Sequence, residues 1–446
     1  MRKFGYAGKL GSEDPFIFKV DTTNNTAPSG FTASANNQFE IPIAGATSQS
    51  GYELSFEVDW GDGTTSHINS SNYTTACLHT YPSPGIYTIQ CRGSVACWTF
   101  YPLSTFSGRF GDMRKLIEIS QWGAFRMDGG PTSYNGGLCF AGCNNLTQIT
   151  CPDVPVMGDL NNPTLFGSRT FRGMFSSCAA LERINNIADW PINGRISASG
   201  FMFMFEGCSN LRYGDLGTGI INLSGWDVGN NVNYMRMFNG CTLFNGRVFV
   251  VNPNNTAANL RLEDMFKNCT NFDGSNSTTV LQAWNTGVAT RMDGMFQNCI
   301  KFDVDISGWD TKAVTTMEQM FDVGVSGGVF DHPIGNWNVS TVTNMCGMLT
   351  GQNNFNQDLS SWNVNNWSTA SGGGAPPIVD STFANFQLST ANYDALLVAW
   401  DNYTFPSWPS GTVDFGNSTY SLGSSAATAR ASLVTKWGAI LDGGGV

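Results

Sequence analysis

The sequence predicts a mainly β protein with short helical turns, arranged as a stack of repeats. It is entered through a run of alternating strands and closed by a helical segment. Three observations predict this: an aromatic-x-x-Cys motif that recurs along the middle of the chain, a glycine-rich and charge-poor composition, and a change of character near each end.

The 446 residues are 41% hydrophobic, ordinary for a folded chain, but only 13% are charged, about half the usual ~25%. Fifty-one glycines with few Glu and Lys argue against long exposed helices and for turns and short strands. The net charge is −11 and no basic run occurs, so the footprint of a nucleic-acid partner is absent. No run of 18 apolar residues is present, so no membrane span is expected. The start, "MRKFGYAGKLGSEDPFIFKV", has no apolar stretch of leader length, and folding in a cytoplasm is the expectation.

Aligned on the motif, the chain reads "CFAGC" (139–143), "MFSSC" (174–178), "MFEGC" (204–208), "MFNGC" (237–241), "MFKNC" (265–269) and "MFQNC" (295–299). Looser copies follow: "MFDVG" (320–324), "MLTGQ" (348–352) and "TFANF" (382–386). Cys143, Cys178, Cys208, Cys241, Cys269 and Cys299 thus share one repeat position. A second motif lies between copies, as in "SGWDTKAVTTM" (307–317) and "GNWNVSTVTNM" (335–345). Val314, Met317, Met320 and Phe321 have the spacing of one face of a helical turn. Phe302, Val304 and Ile306 alternate with Asp303 and Asp305, the period of a strand. A unit this short cannot bury its apolar face alone, whereas stacked neighbours can, so a solenoid of about nine units is predicted.

The combination of "MFxxC", "SGWDT", "VTTM" and "FNQDLSSWNV" (355–364) resembles the BspA-type leucine-rich-repeat surface proteins over roughly residues 106–390. That resemblance implies a leucine-rich-repeat-like solenoid, a surface role and no catalytic residues. Upstream, "VDWGDGT" (58–64) and "HTYPSPGIYTI" (79–89) resemble the polycystic-kidney-disease (PKD) type immunoglobulin-like β-sandwich. Such domains act as spacers and contact modules. The expected domains are a 1–35 arm, a 36–105 sandwich, a 106–387 solenoid and a 388–446 helical cap. Ser389 and Ser424 or Ser425 are the expected helix N-caps. The apolar knot "FIFKV" (16–20) is either the first strand of the sandwich or an anchoring segment that docks on other structural proteins of an assembly.

Most side chains that suggest chemistry have a plain structural alternative. The ladder cysteines lack C-x-x-C pairs and a nearby His, so they read as a buried core ladder, not a metal site. "GVSGG" (324–328) matches G-x-S-x-G, but Gly324 takes the ladder position of a loose repeat, so Ser326 reads as a turn residue. Asp59, Asp62, Asp303 and Asp305 are weak Ca²⁺ candidates, since carboxylates supply hard oxygen ligands. Trp226, Trp309, Trp337 and Trp362 recur after the strand and read mostly as corner packing between coils; the alternative is a row left partly open that, with Asp310, makes a candidate ligand face, a carbohydrate platform. No cofactor is expected.

The expectation is a non-catalytic structural or adhesion protein on a phage virion surface, as a decoration or fibre component contacting host glycan or protein. Self-association is compatible with it. The alternative is a bacterial cell-surface or secreted adhesin.

Overall fold

The computed structural model describes residues 14–43, 54–95, 98–100, 111–123, 125, 137–156, 171–192, 200–214, 219–229, 233–251, 259–324, 327–366, 387–404 and 411–446. Ser326 and the "TFANF" copy lie outside them, as do Cys97, which with Cys77 and Cys91 is a candidate for one disulfide, and the glycine-rich loop "SGGGAPP" (371–377) expected before the cap. The described chain is mainly β with a few short helices. It forms two compact units, Met1–Trp226 and Asp227–Val446.

In the first unit the strands are β1 (Phe16–Asp21), β2 (Gln38–Glu40), β3 (Ser55–Asp59), β4 (Thr65–Asn69), β5 (Leu78–Thr80), β6 (Ile86–Ser94), β7 (Leu116–Gln121), β8 (Gln148–Ile149) and β9 (Arg183–Ile184). A single helical turn, α1 (Tyr73–Ala76), follows β4. Seven strands make one sheet in the order β4-β3-β6-β1-β7-β8-β9. Pairing is antiparallel from β4 to β7 and parallel from β7 to β9. β2 and β5 pair separately.

The apolar knot therefore sits inside this sheet. β1 pairs with β6 on one side and β7 on the other, with Phe16, Phe18 and Val20 fully buried. The boundary expected at residue 35 does not hold, because "FIFKV" has the two-residue period of a strand with one buried face. The same face of the sheet buries Phe56, Val58, Ile68, Ile89, Ile119, Ile149 and Ile184. One sheet thus runs from the hairpins into the first repeats.

A buried ion pair ties the two parts together. Lys115 and Asp112, 0% and 1% exposed, lie 3.2 Å apart in the 3₁₀ turn Gly111–Lys115. Lys115 Nζ also donates to the carbonyls of Ser34, Ala35 and Gln38 at 2.8–3.1 Å. Asp112 accepts from the Ser34 N–H, the Ser34 hydroxyl and the Glu40 N–H at 2.6–2.8 Å. The turn must come this close: a Cβ on Gly111 would overlap the Thr32 carbonyl. Burial pulls the Lys115 ammonium below its usual range, against the raising effect of Asp112.

The second unit holds β10 (Leu260–Arg261) parallel to β11 (Ala289–Arg291), with a short helix α2 (Thr278–Gln282) between them. Its C-terminal part contains α3 (Thr390–Trp400), β12 (Gly411–Asp414), β13 (Thr419–Tyr420), α4 (Ser425–Trp437), β14 (Gly438–Leu441) and β15 (Gly444–Gly445). The two long helices begin as expected: Ser389 Oγ accepts from Asn392 N–H, and Ser424 Oγ from Ala426 and Ala427 N–H. The parallel pairs β12–β14 and β13–β15 were not expected there. Arg430 grips the 2%-exposed Asp442 with two bonds of 2.6 and 3.1 Å, and Tyr393 donates to the same carboxylate at 2.8 Å. Burial next to Asp442 pushes the Tyr393 phenol well up.

Within both units the Met-Phe segments are successive turns, not helix. In each, an N–H bonds the carbonyl three residues back, as in Cys178 to Phe175 and Cys269 to Phe266, both 3.0 Å. Alternate N–H groups instead reach the next coil: Phe175 to Met204, Ser177 to Glu206, Phe266 to Met295 and Asn268 to Gln297, at 2.6–2.9 Å. Two residues per coil take left-handed φ, the one before the Met and the one before the Cys. They include Arg236 (56°), Asp264 (53°), Asn268 (62°) and Asn298 (60°), with glycines at other copies. Helical spacing misled here because a run of three-residue turns also repeats every three residues. The parallel bridges fall just before this segment, at Arg291–Thr316 and Thr316–Asn344. The "DVDIS" stretch keeps the expected alternation, with Phe302, Val304 and Ile306 buried, while no strand is formed over it.

Replacing one member of the Asp112–Lys115 pair strands a buried charge. Lys115→Met is expected to cost about 3–5 kcal/mol in urea unfolding, and an apolar Asp112→Leu, Lys115→Met double variant to recover little of it, because the Ser34 and Glu40 N–H groups and the Ser34, Ala35 and Gln38 carbonyls lose their partners as well. A double variant as stable as the parent would show the pair to be dispensable.

Candidate binding face

The repeat divides each coil into residues turned in and residues turned out. The inward set is spent on stacking. Phe140, Phe175 and Phe205 form one column in the first unit, with centroids 5.7–5.8 Å apart and rings within 10° of parallel. Phe238, Phe266, Phe296 and Phe321 form another in the second, at 5.5–5.7 Å.

The six ladder cysteines are all buried and free. Their thiols donate hydrogen bonds to the Phe carbonyl of the preceding coil: Cys178 to Phe140, Cys208 to Phe175, Cys269 to Phe238 and Cys299 to Phe266, at 2.9–3.1 Å. Burial pushes the Cys178, Cys208, Cys269 and Cys299 thiols far up, so they stay protonated and unreactive. Gln352 holds the ladder position of its looser copy and does the same job, donating from Nε2 to the Phe321 carbonyl at 2.6 Å. A polar residue in a cysteine position was the signal for this substitution.

The tryptophans are not an open platform. Trp226, Trp309, Trp337 and Trp362 are only 0–4% exposed. Each indole N–H donates to a carbonyl of the preceding coil, respectively Ile187, Leu281, Ile306 and Ile334, at 2.8–3.3 Å. A ring at the corner of a coil is covered by the coils beside it, and its N–H finds the carbonyl left free there. The open-row alternative is therefore corrected to a packing ladder. Asp310 alone of that set is exposed, and it pairs with Lys312 Nζ at 2.6 Å.

The four weak Ca²⁺ candidates are engaged in local bonds. Asp59 accepts from Gly61 N–H, and Asp62 from Thr64 N–H and hydroxyl. Asp62 also lies 2.8 Å from His79 Nε2. Burial pushes the Asp62 carboxyl up, but the Thr64 and His79 bonds outweigh it and hold it low. Asp303 lies 2.9 Å from His332 Nε2, and Asp305 accepts from Ser307 N–H at 2.9 Å. Among the described residues no three His, Cys, Asp or Glu side chains converge as a metal site does.

Across the coils runs a charged lattice, partly exposed and partly buried, that sequence reasoning missed. In the second unit the parallel bridges put Asn233, Arg261, Arg291, Thr316 and Asn344 in one row. Two residues further along each coil come Glu263, Asp293 and Glu318. Arg261 and Arg291 both reach Glu263, at 2.6 and 3.3 Å, and Arg291 also reaches Asp293 at 2.8 Å. Asn344 bonds Glu318 at 2.9 Å, and Asp264 takes Arg236 and Lys267. The half-exposed pairs are worth ~0–1 kcal/mol each; their effect is to fix the order of side chains on a regular surface. In the first unit the outward cluster is Arg183, Arg212 and Tyr213, with both guanidinium groups 5.0–5.3 Å from the ring centroid. The signal for the second-unit row was the recurrence of Arg261 and Arg291 at equivalent coil positions, which only register makes visible.

Residues 169–279 and 261–372 each match the family described as "Mycoplasma protein of unknown function, DUF285". No curated protein and no solved structure matches the chain. No helix among the described residues is long and apolar enough to cross a membrane.

Iodoacetamide added to the native protein is expected to label the half-buried Cys139 and Cys346 first. The six ladder thiols should react at least ~100-fold more slowly than after denaturation. Peptide mass spectrometry at equal times checks this, and comparable native labelling of Cys269 would contradict the ladder.

Proposed function

We propose that the chain is a non-catalytic structural and adhesion protein displayed on a particle surface, as a phage virion surface, decoration or fibre component. In this reading the coils form a BspA-like leucine-rich-repeat solenoid, the N-terminal strands belong to a PKD-like immunoglobulin-type module, and the C-terminal helices close the stack. No residue is assigned a catalytic role.

One observation carries the proposal: the side chains with reactive potential are consumed by packing, while the variable ones form an ordered, partly exposed lattice. The thiols donate to carbonyls and the indoles bridge coils. A regular polar surface on a rigid frame suits recognition. The free cysteines also fit folding in a reducing compartment before display. The description of the matching family, which names Mycoplasma proteins, favours a second reading, a bacterial cell-surface protein.

Quantitative mass spectrometry of purified virions is expected to find the chain at a fixed copy number per particle. Its absence there, with labelling on the outside of intact cells, would replace the first reading with the second.

A further inference from the structure

Arg183 differs from the other outward arginines described above. Arg212, Arg236, Arg261 and Arg291 each hold a carboxylate within 3.3 Å. Among the described residues the Arg183 guanidinium has no hydrogen-bond or ion-pair partner, and it stacks on Tyr213, 5.3 Å from guanidinium carbon to ring centroid. Tyr213 is the next strand's partner of Arg183 in the sheet, through a parallel bridge. The ring also carries Arg212 at 5.0 Å, and Arg212 in turn is pinned by Glu182 at 2.8 Å. Among the described residues the Tyr213 hydroxyl has no hydrogen-bond partner.

Two guanidinium groups are thus held against one ring, and one of them keeps its N–H donors unused. In a chain of net charge −11 such a charge is normally neutralised by a nearby acid. Here stacking fixes the plane of the guanidinium instead, which lowers the entropy lost when its fork meets a carboxylate. The free phenol beside it suits a neighbouring hydroxyl. A carboxylate with hydroxyls on the same ring is the pattern of an acidic sugar.

We infer that Arg183, Arg212 and Tyr213 form a binding site for a uronic-acid-type glycan. The inference deepens the adhesion reading and rests on it for its biological setting, but the site is tested without any particle. Isothermal titration of the full chain with oligogalacturonate is expected to give saturable binding, with neutral dextran oligomers giving none. Arg183→Gln is expected to weaken binding at least tenfold, Arg183→Lys by less, and Tyr213→Phe by a few-fold. Lys301→Gln, an exposed basic residue that pairs with Asn271, should leave it unchanged. Thermal unfolding of each variant separates loss of the site from loss of the fold. The inference falls if oligogalacturonate does not bind, if Arg183→Gln folds and binds as the parent does, or if polyglutamate or polyphosphate binds as tightly as the uronate. A chain found on virions that fails these titrations would keep the adhesion reading and lose only the site.

Discussion

The structure depends on one constraint: in the Met-Phe segment of each coil, alternate N–H groups have no partner within the coil and must find one in the next. The bonds from Phe266 to Met295 and from Asn268 to Gln297 are examples. Buried N–H groups left unpaired are costly, so the segment cannot exist alone. A left-handed residue at every fourth position, Asp264 and Asn268 in one coil, accompanies this pattern. That conformation costs an ordinary residue roughly 1–2 kcal/mol, which explains Gly and Asn before the ladder cysteine. Arg236 and Asp264 accept the strain where the lattice of outward charges needs a side chain.

The carbonyls obey the same accounting. The Phe266 carbonyl accepts the Cys269 N–H of its own coil and the Cys299 thiol of the following one. The Ile306 carbonyl accepts the Trp309 N–H and the Trp337 indole. Cysteine and tryptophan are thus the donors that complete a backbone otherwise satisfied by neighbours. Few charges remain for the interior, and those that occur are clamps. Asp112–Lys115 fastens the segment 34–40 to the start of the repeats, and Arg430–Asp442 fastens the helix α4 to the chain end.

Much of this was legible in the sequence, and the failures have physical causes. The buried position of the Cys ladder, the Ser389 cap and the choice between Ser424 and Ser425 could be read because each follows from one position and its spacing. The Trp row was visible as a row, but whether a ring lies under its neighbours depends on the corner of the coil, which spacing alone does not give. Val314 through Phe321 looked helical because three-residue turns imitate the helical period. The place of Phe16–Asp21 between β6 and β7 is a long-range pairing across about 70 to 100 residues, beyond the reach of local pattern. The Arg183–Tyr213 contact needed the register of two strands.

The direction of the Met-Phe bonds has a consequence for how the chain is made. In each unit these donors point from an earlier coil to a later one, as Phe238 does to Met265 and Phe296 to Met320. A ribosome delivers the earlier coil first. That coil emerges with its donors open and waits for roughly the next 30 residues to be translated, a delay of a few seconds at about 5–20 residues per second. Nascent coils are therefore exposed at the growing end throughout synthesis, and every stalled chain carries one unfinished edge. Such an edge is a template for another strand, so ribosome pausing within the repeats, more than any weakness of the finished fold, is where this protein is exposed to misassembly.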